Sequence, residues 1–188
     1  MINIAALFIL ITNNENKIRE FELAMKGPGV KFEVLRVEKP ELRSDDPCEI
    51  VKVAAKTFAE RLGKAVVVED SGLFIEALKD FPGTCTKYVY ERIGNSGILK
   101  AMKGAKNRRC WYKSAVGYCK PGKEPVCFLG VEEGKIAEKE KGKNGWGQDP
   151  IFIPKGKNRT YGELREKGDV NLFRKEAVEK LKKYLRKE

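Results

Sequence analysis

Apolar and polar positions alternate with two different periods along the chain, which predicts strands interleaved with helices. Residues 5–11 form an apolar run typical of a central buried strand, and residues 31–37 alternate as a half-buried strand does. Helical periodicity with one apolar stripe follows over residues 15–26, 47–62 and 171–187. Strands and helices that alternate in this way indicate an α/β fold.

The middle of the chain adds strands of another kind. Residues 65–68 are typical of a short β-branched strand, and we expect it to end at Glu69-Asp70-Ser71-Gly72. Residues 109–118 and 125–131 predict two long antiparallel strands, with the chain returning at Gly134. An antiparallel pair beside helix-linked strands predicts a mixed sheet.

Composition narrows the possible chemistry. The chain has 188 residues, a length that predicts a single domain over residues 1–188. It contains no histidine, which excludes a Ser-His-Asp triad, a Cys-His dyad and a His-ligated zinc site. Acid–base chemistry must therefore come from carboxylates, lysines, tyrosines, cysteines or a metal-bound water.

The net charge of +11 has three interpretations. It could serve nucleic-acid binding, an ion-pair-rich surface, or a positive pocket for a polyanionic small molecule. Basic residues are interleaved with glutamate, as in residues 135–143 and 174–188, and no basic stripe carries aromatic residues. We therefore expect no specific nucleic-acid partner.

Cysteine usage and the apolar N-terminus bear on location. The five cysteines are odd in number and form no C-x-x-C pair, which predicts reduced thiols and a cytoplasmic protein. The N-terminal apolar run lacks the features of a signal peptide and is too short to span a membrane. We expect no membrane partner.

The first candidate site is the turn Thr12-Asn13-Asn14-Glu15-Asn16-Lys17, which follows a strand and opens a helix. Backbone N–H groups at a helix start, with a hydroxyl and a lysine, suit phosphate. Simple N-capping by Asn14 explains the same pattern equally well. Both interpretations stay open at this point.

Carboxylates form the second and third candidates. Adjacent Glu69 and Asp70 point to opposite sides of an extended segment, so one can hold Mg²⁺ while the other is paired elsewhere. A solvated turn is the alternative. Glu49, in the first turn of a helix, could also bind a metal, and Lys52 and Lys56 share its face. For the two lysines an ordinary solvated face is the better interpretation.

The fourth candidate is Gly145-Trp146-Gly147-Gln148-Asp149-Pro150. Trp146 lies between two glycines and could stack on a nucleobase while Asp149 reads its polar edge. The alternative is a buried tryptophan in a turn. No Walker phosphate loop, dinucleotide G-x-G-x-x-G or zinc spacing is present.

Taken in order, these segments resemble the inosine triphosphate pyrophosphatase family over nearly the whole chain. The Thr12-to-Lys17 turn, Glu69-Asp70-Ser71-Gly72-Leu73, the turn at residues 82–86 and the loop at residues 145–154 carry the resemblance. It implies an elongated mixed sheet flanked by helices, in two lobes with a cleft between them. It also implies a homodimer that hydrolyses ITP, dITP and XTP to nucleoside monophosphate and pyrophosphate, which cleanses the nucleotide pool.

The resemblance assigns roles to particular residues. Mg²⁺, or Mn²⁺ in its place, would be held by Glu49 and Asp70, and Asp70 would accept the proton of the attacking water. The implied substrate-binding residues are Thr12, Asn14, Lys17, Ser71, Trp146, Asp149, Lys167 and Arg174. Further candidates around the same site are Glu69, Asn13, Lys52, Lys56 and Phe173.

One departure from the family bears on base recognition. The family's C-terminal signature is a lysine, a short gap and then Ser-His-Arg before the last helix, whereas this chain has Lys167 and then Leu172-Phe173-Arg174. Phe173 cannot hydrogen-bond the 6-oxo edge of a purine. We favour Phe173 as a core residue, and the alternative is an apolar base pocket with altered specificity. A nucleotide-binding homologue with lost or altered catalysis is the second functional hypothesis, and a basic nucleic-acid-binding protein is the third.

Overall fold

A computed structural model of the chain describes residues 6–27, 30–38, 42–166 and 169–187. Within these ranges the strands are β1 (Ala6–Ile11), β2 (Val30–Leu35), β3 (Val66–Ile75), β4 (Pro82–Gly83), β5 (Arg109–Cys119), β6 (Val126–Ile136) and β7 (Phe152–Pro154). The α-helices there are α1 (Glu15–Met25), α2 (Pro47–Leu62), α3 (Thr86–Ala101), α4 (Tyr161–Leu164) and α5 (Leu172–Leu185). None of these helices combines the length and the apolar composition that a bilayer crossing requires.

The described strands form one mixed sheet. Its order is β2-β1-β3-β5-β6-β7, and β4 pairs with β3. Strand β1 runs parallel to β2 and to β3, whereas β4 is antiparallel to β3 and β7 is antiparallel to β6. Both strand orientations occur in a sheet that helices flank, so the predicted mixed α/β fold is confirmed.

The chain divides into two compact units. The first unit comprises Met1–Asp70, Ser114–Gly130 and Val170–Glu188, and the second unit comprises Ser71–Lys113 and Val131–Asp169.

The core of the first unit is built on both faces of β1. Phe8 and Leu10 pack in one buried cluster with residues of α1 and α5, whereas Ile9 and Ile11 pack in another with residues of α2. Successive side chains of a strand point to opposite faces, so an uninterrupted apolar run is what a strand covered on both sides requires. The predicted central strand is therefore observed.

Aromatic packing and an interrupted helix characterise the second unit. The ring of Phe152 on β7 lies 4.5 Å from that of Tyr112 and 5.4 Å from that of Tyr161, measured between centroids. Helix α3 is interrupted at Gly94, whose backbone angles are non-helical (φ 60°, ψ −169°). The residue after this break, Asn95, is almost fully buried.

The predicted strand end at Gly72 and the predicted turn at Gly134 are both wrong, because each glycine lies inside a long strand. Strand β3 continues through Gly72, and β6 continues through Gly134. A Cβ atom on Gly72 would lie 2.1 Å from the carbonyl oxygen of Gly83, and one on Gly134 would lie 2.5 Å from the ring of Phe152. Glycine at these positions permits close packing of a neighbouring segment and does not mark a turn.

The prediction that all cysteines are reduced is also wrong. Cys48 on α2 and Cys127 on β6 form a disulfide across 79 residues of sequence, with their Cα atoms 5.7 Å apart. Cys85, Cys110 and Cys119 are free thiols. Spacing along the chain does not reveal a pair that only the fold brings together.

Candidate active site

The turn after β1 is built by local hydrogen bonds. The Asn14 N–H donates to Thr12 Oγ1 at 3.2 Å, and Asn14 Oδ1 accepts from the N–H groups of Asn16 and Lys17 at 3.0 and 3.2 Å. Asn14 is thus the N-cap of α1, and Asn13 is exposed. The capping interpretation is observed, and phosphate binding by the same turn stays a prediction.

Glu69 and Asp70 lie within β3 and are both buried, so the solvated-turn alternative is wrong. Lys17 Nζ lies 2.7 Å from Glu69 Oε2, the Ser114 hydroxyl donates to Glu69 Oε1 at 2.7 Å, and Arg174 Nε donates to the same oxygen at 3.2 Å. Glu69 is therefore a paired carboxylate. Asp70 points to the other face of the strand, as alternation requires.

Arg174 joins Glu69 to a second buried carboxylate. Its guanidinium is fully buried and also forms an ion pair with Glu20, 154 residues away in sequence. The Asn171 backbone N–H and its Nδ2 each donate to Glu20 at 3.2 Å. We call Lys17, Glu20, Glu69 and Arg174 the charge network. It contains two cations and two anions, so it is electrically balanced.

The charge network sets the ionisation of its members. Burial by itself would raise the pKa of the Glu69 carboxyl, but Arg174, Lys17 and the Ser114 hydroxyl together lower that pKa far below its usual range. Burial would lower the pKa of Arg174, but Glu69 and Glu20 outweigh it and raise that pKa. Each charge is thus stabilised by its partners, of which Glu20, Glu69 and Arg174 are buried and Lys17 is partly exposed.

Sequence reasoning identified part of this network and missed the rest. It named Lys17, Glu69 and Arg174, which the fold brings together, and it missed Glu20, Ser114 and Asn171. Glu20 carried one usable signal, because it follows Lys17 by one helical turn and lies between Ile18 and Phe21 on a buried face. Ser114 and Asn171 carried no local signal.

Helix α2 presents its polar residues at the surface. Asp46 caps the helix by accepting from the Cys48 N–H at 2.8 Å, and Pro47 starts its first turn. Glu49 is exposed and accepts from the Ser44 hydroxyl at 2.6 Å. Lys52 and Lys56 are exposed too, and Lys56 pairs with Glu124 at 2.6 Å, as expected of a solvated face.

The available donors decide which metal could be held. Among the described residues, no group of three or more His, Cys, Asp or Glu side chains is arranged to hold an ion. Mg²⁺ needs no such cage, because proteins usually bind it through one or two carboxylates together with substrate phosphates and water. Glu49 and Asp70 are oxygen donors of the type that Mg²⁺ prefers, so the donor chemistry fits.

In the second unit, the loop at residues 145–150, here called the Trp146 loop, is organised by Asp149. This carboxylate is almost fully buried, and its Oδ2 accepts from the Trp146 N–H at 2.9 Å and from Arg165 Nη1 at 2.6 Å. A Cβ atom on Gly145 would lie 1.9 Å from the same oxygen, which explains the glycine there. Trp146 is half-buried. Arg165 was missed from the sequence.

The remaining predicted site residues have different surroundings. Phe173 is 3% exposed in the first turn of α5, with its ring 5.2 Å from the Arg174 guanidinium carbon, which agrees with the core interpretation. Ser71 is partly exposed on β3. Lys167 lies outside the described residues.

Comparison with known proteins places this α/β chain in a family. The family model described as the Ham1 family matches residues 8–184. A dITP/XTP pyrophosphatase of Methanopyrus kandleri is 47% identical over 83% of each chain, and one of Methanosarcina mazei is 40% identical over 91% of this chain and 92% of its own. A solved HAM1 protein structure from Coxiella burnetii superposes with a TM-score of 0.83 at 25% identity, covering 96% of this chain and all of its own.

The chain belongs to the Ham1 family, with relatives named dITP/XTP pyrophosphatase. The resemblance that the motifs predicted is therefore confirmed. The match spans nearly the whole chain and includes all the segments that carry candidate chemistry.

Proposed function

We propose that this protein is a nucleoside triphosphate pyrophosphatase that hydrolyses non-standard purine nucleoside triphosphates such as dITP, XTP and ITP. The observation that carries the proposal is the 40–47% identity to dITP/XTP pyrophosphatases over most of the chain. Water attacks the α-phosphorus, the bond to the bridging oxygen breaks, and the products are nucleoside monophosphate and pyrophosphate.

Residues of the first unit supply the phosphate chemistry in this proposal. Asp70 accepts the proton of the attacking water and, with Glu49, holds Mg²⁺, or Mn²⁺ in its place. The bound ion supplies charge neutralisation and a lowered water pKa. Asp70 is buried on β3, and this supports its role because the strand gives the carboxylate a defined position beside the proposed reaction.

The N-terminal end of α1 binds the phosphates in the same proposal. Asn14 Oδ1 caps the helix, and Thr12 Oγ1 accepts from the Asn14 N–H, so the two side chains fix the conformation of the turn beside which the phosphates would bind. Lys17 has three donors, of which Glu69 engages one, and in this proposal the other two serve phosphate oxygens. Glu69 and Arg174 hold the lysine in place, and direct contact of Arg174 with substrate stays a prediction.

Residues of the second unit supply base and substrate contacts. Trp146 stacks on the purine, and Asp149 fixes the loop that presents it. The other substrate-binding candidates of this unit are Ser71 and Lys167. Further positions, which belong to the first unit, are Asn13, Lys52, Lys56 and Phe173. A single functional domain, a homodimer and a cytoplasmic location complete the proposal.

A panel of triphosphates tests the proposal. We expect pyrophosphate from dITP, XTP and ITP with Mg²⁺, and much less from the four standard triphosphates. Asp70→Asn should abolish turnover with little change in melting temperature, whereas Asp45→Asn, at an exposed position, should behave as wild type. Nucleotide binding by calorimetry without pyrophosphate release would favour a binding protein, and neither binding nor release by folded protein would refute the proposal.

A further inference from the structure

We propose that Asn95 on α3 is a positioning residue that holds the Trp146 loop in the conformation that reads the base. The proposal rests on the proposed function and deepens it. It concerns the second unit alone, because Asn95 and the whole loop belong to it.

The helix break at Gly94 directs Asn95 toward the loop. Gly94 leaves helical geometry at positive φ, and Asn95 resumes the helix with only 6% of its surface exposed. Its Nδ2 donates to the carbonyl oxygen of Gly147 at 3.1 Å, across 52 residues of sequence. A backbone with positive φ favours glycine, so Gly94 permits the break directly before the residue that contacts Gly147.

The contact completes a clamp on both sides of Trp146. The Trp146 N–H is held by Asp149, and the carbonyl of the next residue, Gly147, is held by Asn95. Asp149 thus holds the peptide group before the Trp146 Cα through its side chain, and its own N–H donates to the Trp146 carbonyl oxygen at 3.3 Å. Asn95 holds the next peptide group, between residues 147 and 148, so together these contacts restrict the backbone that carries the indole. Base stacking depends on the direction of the indole, since a ring displaced by about 1 Å or more loses part of its overlap with the base.

The chemistry of the Asn95 amide points to a donor role. Its Oδ1 is buried and accepts no hydrogen bond within the part of the chain that the structure describes. Rotating the amide by 180° would place Oδ1 against the Gly147 oxygen, and both atoms are acceptors. The Gly147 carbonyl therefore fixes the orientation in which Nδ2 faces it. Burying the Asn95 oxygen without a hydrogen bond costs free energy that an apolar side chain of the same size would not. The presence of asparagine therefore indicates that the hydrogen bond from its Nδ2 is what the position requires.

The clamp bears on base recognition, because this chain lacks the histidine of the family signature. The position where the family carries histidine is Phe173, a buried side chain with no hydrogen-bonding atom. The proposed function instead assigns the contact with the base to the Trp146 loop. Asn95 would act on it without touching the substrate.

Two variants test the role. Asn95→Leu removes the donor and the buried acceptor with little change in size, and Asn95→Asp keeps the shape but cannot donate when ionised. Ser96→Ala, at the exposed neighbouring position, is the matched control. We expect KM for dITP to rise about five- to tenfold, as loss of one hydrogen bond allows, with kcat changed less than twofold. Discrimination against dGTP should fall by a similar factor.

Tryptophan fluorescence supplies a readout that needs no turnover. The chain has two tryptophans, so a Trp111→Phe background isolates Trp146. Both Asn95 variants should make Trp146 emission more accessible to acrylamide, and Ser96→Ala should not. Unchanged quenching in the Asn95 variants would overturn the proposal, whatever happens to KM. Altered quenching with unchanged KM and unchanged discrimination would overturn it too. An inactive wild type would instead refute the proposed function, and the specificity role of Asn95 would fall with it.

Discussion

The two candidate regions stabilise polar groups in opposite ways. The charge network of the first unit joins side chains from three parts of the chain, with Glu20 and Arg174 separated by 154 residues. The Trp146 loop of the second unit is held mainly through its backbone, by Asp149 three residues from Trp146 and by Asn95 on α3. One region is a long-range assembly of charges, and the other is a short loop fastened to its surroundings.

This difference determines how each region should fail. In the charge network, removing one member leaves another charge buried without compensation, which affects the stability of the whole unit. In the Trp146 loop, removing one contact releases a short segment and affects chiefly the presentation of Trp146. Stability measurements should therefore be most sensitive to the first unit, and substrate specificity to the second.

The largest effect is expected from Arg174→Met. It leaves Glu20 and Glu69 buried without their shared cation, which should lower the free energy of unfolding by about 3–5 kcal/mol. Urea denaturation followed by far-UV circular dichroism measures the loss. Lys87→Ala, which breaks an exposed pair with Glu91, should cost at most about 0.5 kcal/mol. A loss for Arg174→Met no larger than for this control would contradict the importance of the network.

The disulfide should give the next largest effect. Reducing Cys48–Cys127, which closes a loop across 79 residues of sequence, should lower the free energy of unfolding by about 3–4 kcal/mol. Urea denaturation with and without dithiothreitol measures it. Cys48→Ser should remove the response to reductant, and Cys85→Ser, at an exposed free thiol, should keep it. Wild-type protein that titrates as five free thiols before reduction would show that the bond does not form.

Asp149→Asn should have an intermediate effect. The amide oxygen can still accept from the Trp146 N–H, but the ion pair with buried Arg165 is lost, at about 2 kcal/mol. Tryptophan fluorescence during denaturation is informative, because both tryptophans belong to the second unit. Breaking the exposed Lys155–Glu133 pair with Lys155→Gln should cost less than about 1 kcal/mol. Equal losses for the two variants would place Asp149 among ordinary surface charges.

Acid should weaken the charge network. The pKa of Glu69 is lowered in the folded state from its ordinary 4.5, so its contribution to stability is complete above that value. As the pH falls, Glu69 becomes protonated in the unfolded chain while it stays ionised in the folded protein. The free energy of unfolding therefore declines below about pH 5. Glu69→Gln should show a shallower decline between pH 6 and 3, and exposed Glu124→Gln should follow the wild type. Parallel curves for Glu69→Gln and wild type would refute the linkage.

Local features of the fold were predictable because they depend on neighbouring residues. The apolar run of β1, the Asn14 cap, the start of α2 at Pro47 and its end before Gly63 all agree with the structure. The boundaries inside β3 and β6 were mispredicted, because Gly72 and Gly134 accommodate close contacts that a local pattern cannot distinguish from turns.

The residues of the candidate site likewise fall into those that the sequence indicated and those that only the structure revealed. Asp70, Trp146 and Asp149 stand in motifs whose order indicated the family, and the comparisons confirmed that family. Arg165 and Asn95 contact the Trp146 loop from outside the motif, and no periodicity or spacing marks them. Ser114, a small residue in a long strand, likewise became significant only beside Glu69.

By itself, the sequence determined the alternating α/β pattern, the exclusion of histidine chemistry and the family, because short-range periodicity and ordered motifs are written directly in it. Tertiary structure alone decided that Glu20 and Glu69 share Arg174, that Cys48 bonds Cys127 and that Asn95 holds Gly147. Each of these contacts joins residues more than 45 positions apart, and only folding brings such groups within a few ångströms and removes the water that would weaken their interaction.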